Sequence, residues 1–171
     1  MSLIEQRQDW VKAIEFVRPQ IVEGLVQEMY QDPFWEARYG ERGRLHSAQD
    51  THYHLNKLID AVALGLPDIF TQYMHWVQGL LIYRGMSTLH LHETLDSLAK
   101  QLAHHVPEYW PHIQEYLMAG DAGLLYPNAD CQALVEHSAI IAKATTRRLF
   151  DSKNDSSLSD NNLSASRSRE D

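Results

Sequence analysis

The sequence predicts an all-α fold, a single-domain bundle of five to seven helices, on three observations. Apolar residues recur at steps of three and four along most of the first 150 positions, the spacing that puts side chains on one helix face. Glycine and proline fall at the junctions between these stretches, where they suit the end of one helix and the first turn of the next. No segment alternates apolar and polar residues well enough to compete as a strand.

The first stretch, residues 3–31, sets Trp10, Ile14, Val17, Ile21, Leu25 and Met29 on one stripe. Pro19 interrupts it. An interior proline costs about 3 kcal/mol or more, so the stretch reads as a kinked helix or two short ones. Residues 32–43, DPFWEARYGERG, have no clean period and carry one proline and two glycines, which reads as a loop. A second helix, about 44–64, spaces Leu45, Ala48, His52, Leu55, Ile59 and Val62 in threes and fours, which makes His52 a histidine at the edge of the core. The junction Gly65-Leu66-Pro67-Asp68 opens a third helix, about 67–84, striped by Phe70, Met74, Val77 and Leu81. Ile69, Tyr73, Trp76 and Leu80 widen that stripe, so burial on most sides is expected. Gly85 ends it, and Ser87 or Thr88 caps a fourth helix whose Leu91, Leu95, Leu98 and Leu102 share a face up to Pro107. A shorter helix at 107–118 carries Trp110, Ile113 and Leu117. After a turn at Gly120, Gly123 and Pro127, Asn128 caps a last helix to about Phe150 with Leu134, Ile141 and Leu149 inward. Residues 151–171 hold seven serines and almost no apolar side chains, the composition of a disordered tail. The expected organisation is a helical domain at 1–150 and a tail at 151–171, and a globin-like arrangement is one bundle these helices would fit.

Charge and motif content exclude several functions. The 15 basic and 23 acidic residues give a net charge of −8. The tail supplies only −2 of it, so the body is acidic by itself, which argues against a nucleic-acid surface or an anionic membrane as partner. Ten histidines would carry the charge from −8 to +2 if all were protonated, so the electrostatics change between about pH 5 and 8. Cys131 is the one cysteine, which rules out an intramolecular disulfide or a paired-cysteine zinc site and makes a reducing compartment the expectation. Glu5, Arg7 and Asp9 break the apolar run a signal peptide needs, and no run of about 18 apolar residues exists, so a cytoplasmic location without a membrane span is expected. Neither GxGxxG nor GxxxxGK[ST] occurs, so the usual nucleotide cradles are missing.

Helix geometry thins the histidines. His52 and His54 lie about 200° apart on a helix, as do His90 and His92, so neither pair chelates one ion. HETLD places Asp96 where HExxH needs its second histidine, and no glutamate has a histidine three residues later, so no metal site is expected. His104 and His105 fall at the end of the fourth helix, where cations favour the dipole. Asp50 and His54, four residues apart, are placed for the carboxylate to hydrogen-bond the imidazole and fix its tautomer. The segment with Trp35, Arg38, Tyr39, Glu41, Arg42 and Arg44 is the second constellation. Its arginines can fork onto carboxylate or phosphate and its rings can stack, or the arginines can tie the segment to the acidic body.

The run RYGERGR from Arg38 to Arg44, then Asp50, the Tyr53-His54-Leu55 step, the Tyr73 to Trp76 aromatic segment and Arg84-Gly85, resembles the helical region that precedes the cobalamin-binding domain in some bacterial sensory or regulatory proteins. The resemblance covers about residues 30–120. No DxHxxG cobalamin-ligating motif occurs, so the resemblance implies a stand-alone regulatory helical domain and not cobalamin binding. It marks Arg38, Tyr39, Gly40, Glu41, Arg42, Gly43, Asp50, Tyr53 and His54 as the positions to test first.

The resulting expectation is a regulatory or sensory domain that binds a partner protein or a small ligand through residues 35–54, as a homodimer held by the broad apolar surface of the third helix. Two alternatives stand beside it. One is a globin-like haem sensor with His54 or His90 as axial ligand. The other is a small helical enzyme using His54, oriented by Asp50, as a base.

Overall fold

A computed structural model of the chain describes residues 1–125, with Ile140 and Lys143 as further helical positions. The expected last helix from Asn128 to Phe150 and the tail at 151–171 otherwise lie outside the described residues, as does Cys131. Five helices follow in order: α1 (Leu3–Met29), α2 (Pro33–Leu64), α3 (Pro67–Tyr83), α4 (Thr88–His105) and α5 (Trp110–Ala122). Among the described residues there is no strand, and no helix is long and apolar enough to cross a membrane.

α1 starts at a capping box. The Ser2 hydroxyl accepts from Glu5 N at 3.3 Å, and the Glu5 carboxylate accepts from Ser2 N at 2.6 Å. Pro19 does not divide the stretch, because α1 is helical through it. Ile14 on one side and Ile21, Val22 and Leu25 on the other are buried, so packing on both flanks holds the helix across the missing hydrogen bond. Arg18, next to the proline, adds a clamp: it pairs with Glu15 at 2.6 Å and donates to the His52 carbonyl at 3.3 Å and Asn56 Oδ1 at 2.8 Å on α2.

The loop expected at 32–43 is a helix. Asp32 caps it by accepting from Phe34 N at 2.8 Å, Pro33 occupies its first turn, and the adjoining rings of Phe34 and Trp35 are buried. Gly40 interrupts the helix with φ 57° and ψ −154°, a region open essentially to glycine alone, and residues 41–64 then continue as the long second part of α2. Tyr30 donates to the Gly40 carbonyl at 3.1 Å, which satisfies an acceptor that the break releases. The buried face of this second part differs from the expected stripe. Leu45 is 67% exposed and His52 is exposed, whereas Thr51, His54 and Leu58 are buried beside Leu55, Ile59 and Val62.

The remaining junctions follow their local signals. Gly65 closes α2 in the left-handed conformation at φ 70° and Pro67 opens α3. Ser87, and not Thr88, caps α4 by accepting from Leu89 N at 3.1 Å. α1 packs on α2 and α4, and α3 packs on α2 and α5. One core joins all five helices, with Ile14, Leu58, Phe70, Leu98 and Ile113 among its fully buried side chains. Gly120 lies inside α5 instead of in a turn, buried where a Cβ would stand 2.5 Å from Phe70 Cδ1, so the glycine lets α5 approach α3 closely. The end of the described chain is tied to the bundle by Gln78, which bonds Thr88 Oγ1 at 3.0 Å and both backbone groups of Leu125.

Candidate functional site

A cavity of about 720 Å³ opens between α2, α3 and α4, with Glu15 and Met29 of α1 also in its lining. From α2 and its N-terminal part come Trp35, Asp50, Tyr53 and His54; from α3 and its end come Tyr73, Trp76 and Arg84; from α4 comes His90. Helical spacing explains the grouping, since Asp50 and His54 are four apart on α2 and Tyr73 and Trp76 three apart on α3. Val77, Leu80, Leu81 and Leu91 supply apolar wall.

His54 is buried, and its Nδ1 lies 2.9 Å from the Tyr73 hydroxyl. The expected partner, Asp50, forms no hydrogen bond with His54 among the described residues. Four-residue spacing brings two side chains to one strip of a helix, but a partner across the interface on α3 takes the imidazole first. This removes the carboxylate orientation on which the acid–base reading depended. Burial pushes the His54 imidazolium down to about 4, so the ring is neutral at neutral pH. Burial, followed by the charges of Asp50 and Tyr53, raises the Tyr73 phenol far above its ordinary value, so the hydroxyl keeps its proton. Tyr73 has no second hydrogen-bond partner among the described residues, so donation from Oη–H to Nδ1 is the arrangement that uses its proton. That arrangement leaves Nε2–H as a donor, with no protein partner among the described residues, in the cavity wall.

Asp50 stands at the solvent-reachable edge of the cavity with protein around it. Desolvation raises its carboxyl, and the charges of His46 and Arg84 only partly counter this. Tyr73 and Trp76 stack at 6.0 Å with 29° between their planes, which extends one aromatic wall toward solvent, where Trp76 is 63% exposed. Burial of α3 on most sides is therefore corrected. Phe70, Met74 and Val77 enter the core, but Tyr73 and Leu80 line the cavity and Tyr83 is exposed.

The arginine-rich segment sits apart from most of this. Trp35 reaches the cavity, whereas Arg38, Tyr39, Glu41, Arg42 and Arg44 do not line it. Arg44 pairs with Glu36 at 3.2 Å and Glu41 at 3.6 Å and covers the Tyr30 ring at 4.0 Å, which bridges the break at Gly40. Arg38 lies 5.3 Å from the Tyr39 ring centre, and Tyr39 stacks on Trp35 at 5.8 Å. His90 is buried against Phe34 at 4.9 Å and edge-on to Trp35 at 5.3 Å. His52 and His54 do face differently, as do His90 and His92, the latter bonded to Asp121 at 2.6 Å. No group of three metal-ligating side chains occurs among the described residues.

Searches against protein-family models, curated proteins and solved structures find no match, so the site is read from its residues alone.

Sequence reasoning passed over Tyr73, Trp76 and Arg84 as site residues. The available signal was the excess apolar breadth of the third helix, which has a second explanation besides burial: one strip packs into the core and its neighbour lines a cavity.

Proposed function

We propose that the chain is a regulatory or sensory helical domain that binds a small ligand in the cavity between α2, α3 and α4. The observation that carries this reading is the convergence of Asp50, His54, Tyr73 and Arg84 on one space of about 720 Å³, within the size range of small-molecule sites. Apolar walls give such a site affinity, and a few placed polar groups give it orientation. Here the neutral His54 and the charges of Asp50 and Arg84 supply those groups. The resemblance of residues 30–120 to a region of bacterial regulatory proteins supports the same class, and a cytoplasmic location is part of the proposal. Trp76 and Tyr83, 63% and 90% exposed on α3, are the surface through which a partner or a second copy would sense the cavity's occupancy.

Titration with the fluorescent probe anilinonaphthalene sulfonate tests the reading. The native chain should bind the dye at micromolar concentration with enhanced emission, and Leu80→Trp, which fills the cavity from its wall, should bind it at least about tenfold more weakly at an unchanged melting temperature. Equal binding by both chains sinks the proposal.

The haem reading is favoured by one specific observation: His54 and His90 line the same cavity, and His54 Nε2 is left without a protein partner. A haemin titration checks it, because identical Soret bands for the native chain and His54→Ala would remove His54 as the axial ligand.

A further inference from the structure

We infer that the cavity takes a zwitterionic ligand with a bulky apolar body, its carboxylate on Arg84 and its ammonium group on Asp50. The inference rests on the ligand-binding reading above and names the ligand's chemical class.

Five charged residues line the cavity: Glu15, Asp50, Lys57, Asp60 and Arg84. Three of them are already paired. Glu15 holds Arg18 at 2.6 Å, and Lys57 holds Asp60 at 3.1 Å. The two that remain carry opposite signs and form no ion pair with each other or with another described residue. Both nevertheless line the same cavity, and the Arg84 charge, with that of His46, partly offsets the desolvation of the Asp50 carboxyl. A guanidinium offers a carboxylate two parallel hydrogen bonds, and a desolvated carboxylate gains most from an ammonium donor.

The two signs together decide the class. A simple anion drawn to Arg84 would bring its charge toward Asp50, and a simple cation drawn to Asp50 would meet Arg84. A zwitterion satisfies both. The aromatic lining suits the cationic end, because Tyr73 and Trp76, stacked on each other, line the same cavity as Asp50 and offer π faces to an ammonium group. The rest of the ligand meets Val77, Leu80, Leu81 and Leu91, a lining suited to large apolar groups. The Nε2–H of His54 then serves a neutral acceptor such as an amide carbonyl within that body. A hydrophobic dipeptide is the simplest molecule with all three features.

Calorimetric titration with phenylalanyl-phenylalanine, its N-acetyl derivative and its C-terminal amide tests the inference. The native chain should bind the free dipeptide at least about tenfold tighter than either derivative, each of which lacks one charge-assisted contact. In Asp50→Asn the free and N-acetyl peptides should bind alike, and in Arg84→Gln the free peptide and the amide should bind alike. Both side chains are exposed, so both variants keep the native melt, and a thermal scan verifies it. Native binding of either derivative as tightly as the free dipeptide overturns the inference. Absence of dipeptide binding while anilinonaphthalene sulfonate still binds overturns the zwitterion class and leaves the ligand-binding reading standing, whereas loss of dye binding removes both.

Discussion

The arginine-rich segment at 33–44 and the wall formed by Asp50, His54, Tyr73 and Arg84 draw on the same residue types, yet they differ in what those residues hold. In the segment, Arg44 is taken up by Glu36, Glu41 and Tyr30, Arg38 lies beside Tyr39, and Tyr39 stacks on Trp35. In the wall, Arg84 and Asp50 have no ion pair among the described residues, and one nitrogen of a buried imidazole has no protein partner. A charged or aromatic residue marks a candidate binding site through what it leaves open, and by that measure the segment is a clamp around Gly40 and the wall is the candidate site.

The largest effect that would break this comparison comes from the clamp. Phe34→Ala removes a buried ring that contacts Trp35, Tyr39 and His90 and should cost about 3–5 kcal/mol in urea unfolding. A loss below about 1 kcal/mol would mean the segment is not a packed part of the bundle.

The next effect belongs to the wall. His54 titrates near 4 in the native chain and near its ordinary 6.5 when unfolded, so the unfolded chain binds more protons between these values and stability falls as the pH drops from about 6.5 to about 4. The full contribution is about 3 kcal/mol. Chemical denaturation across this range should show His54→Gln with a correspondingly flatter pH dependence, while parallel curves would place His54 in solvent.

Gly40→Ala should cost about 1–3 kcal/mol by thermal or urea melt, since alanine strains at φ 57° and ψ −154°. Ligand or dye affinity should change less than twofold, by our reading of the segment as structural. The smallest effect is expected from Arg42→Ala. Arg42 is exposed and makes no ion pair among the described residues, so stability should move by less than about 0.5 kcal/mol. A change in dye affinity comparable to that of the wall variants would return Arg42 to the site.

Part of the candidate site is legible in the sequence. Asp50, Tyr53 and His54 were singled out, and all three line the cavity, as does Trp35. The route to them was incomplete, because the Asp50–His54 spacing describes one helix surface and the contact made is between helices. Arg84 and Tyr73 enter the resemblance but not its positions to test, Arg84 reading as the end of the third helix and Tyr73 as its core, since nothing in a linear pattern separates an apolar strip that faces the core from one that faces a cavity.

The sequence by itself determined the all-α class, the Gly65–Pro67 junction and the buried leucine face of α4. Each of these depends on groups within one or two helical turns of one another. Tertiary structure alone decided that α1 runs through Pro19, that residues 33–39 are helical, which face of α2 is buried, and that His54 meets Tyr73 nineteen positions away. The physical reason is that local preferences of about 1–3 kcal/mol yield to the combined burial of several side chains, and burial is a property of which helices meet.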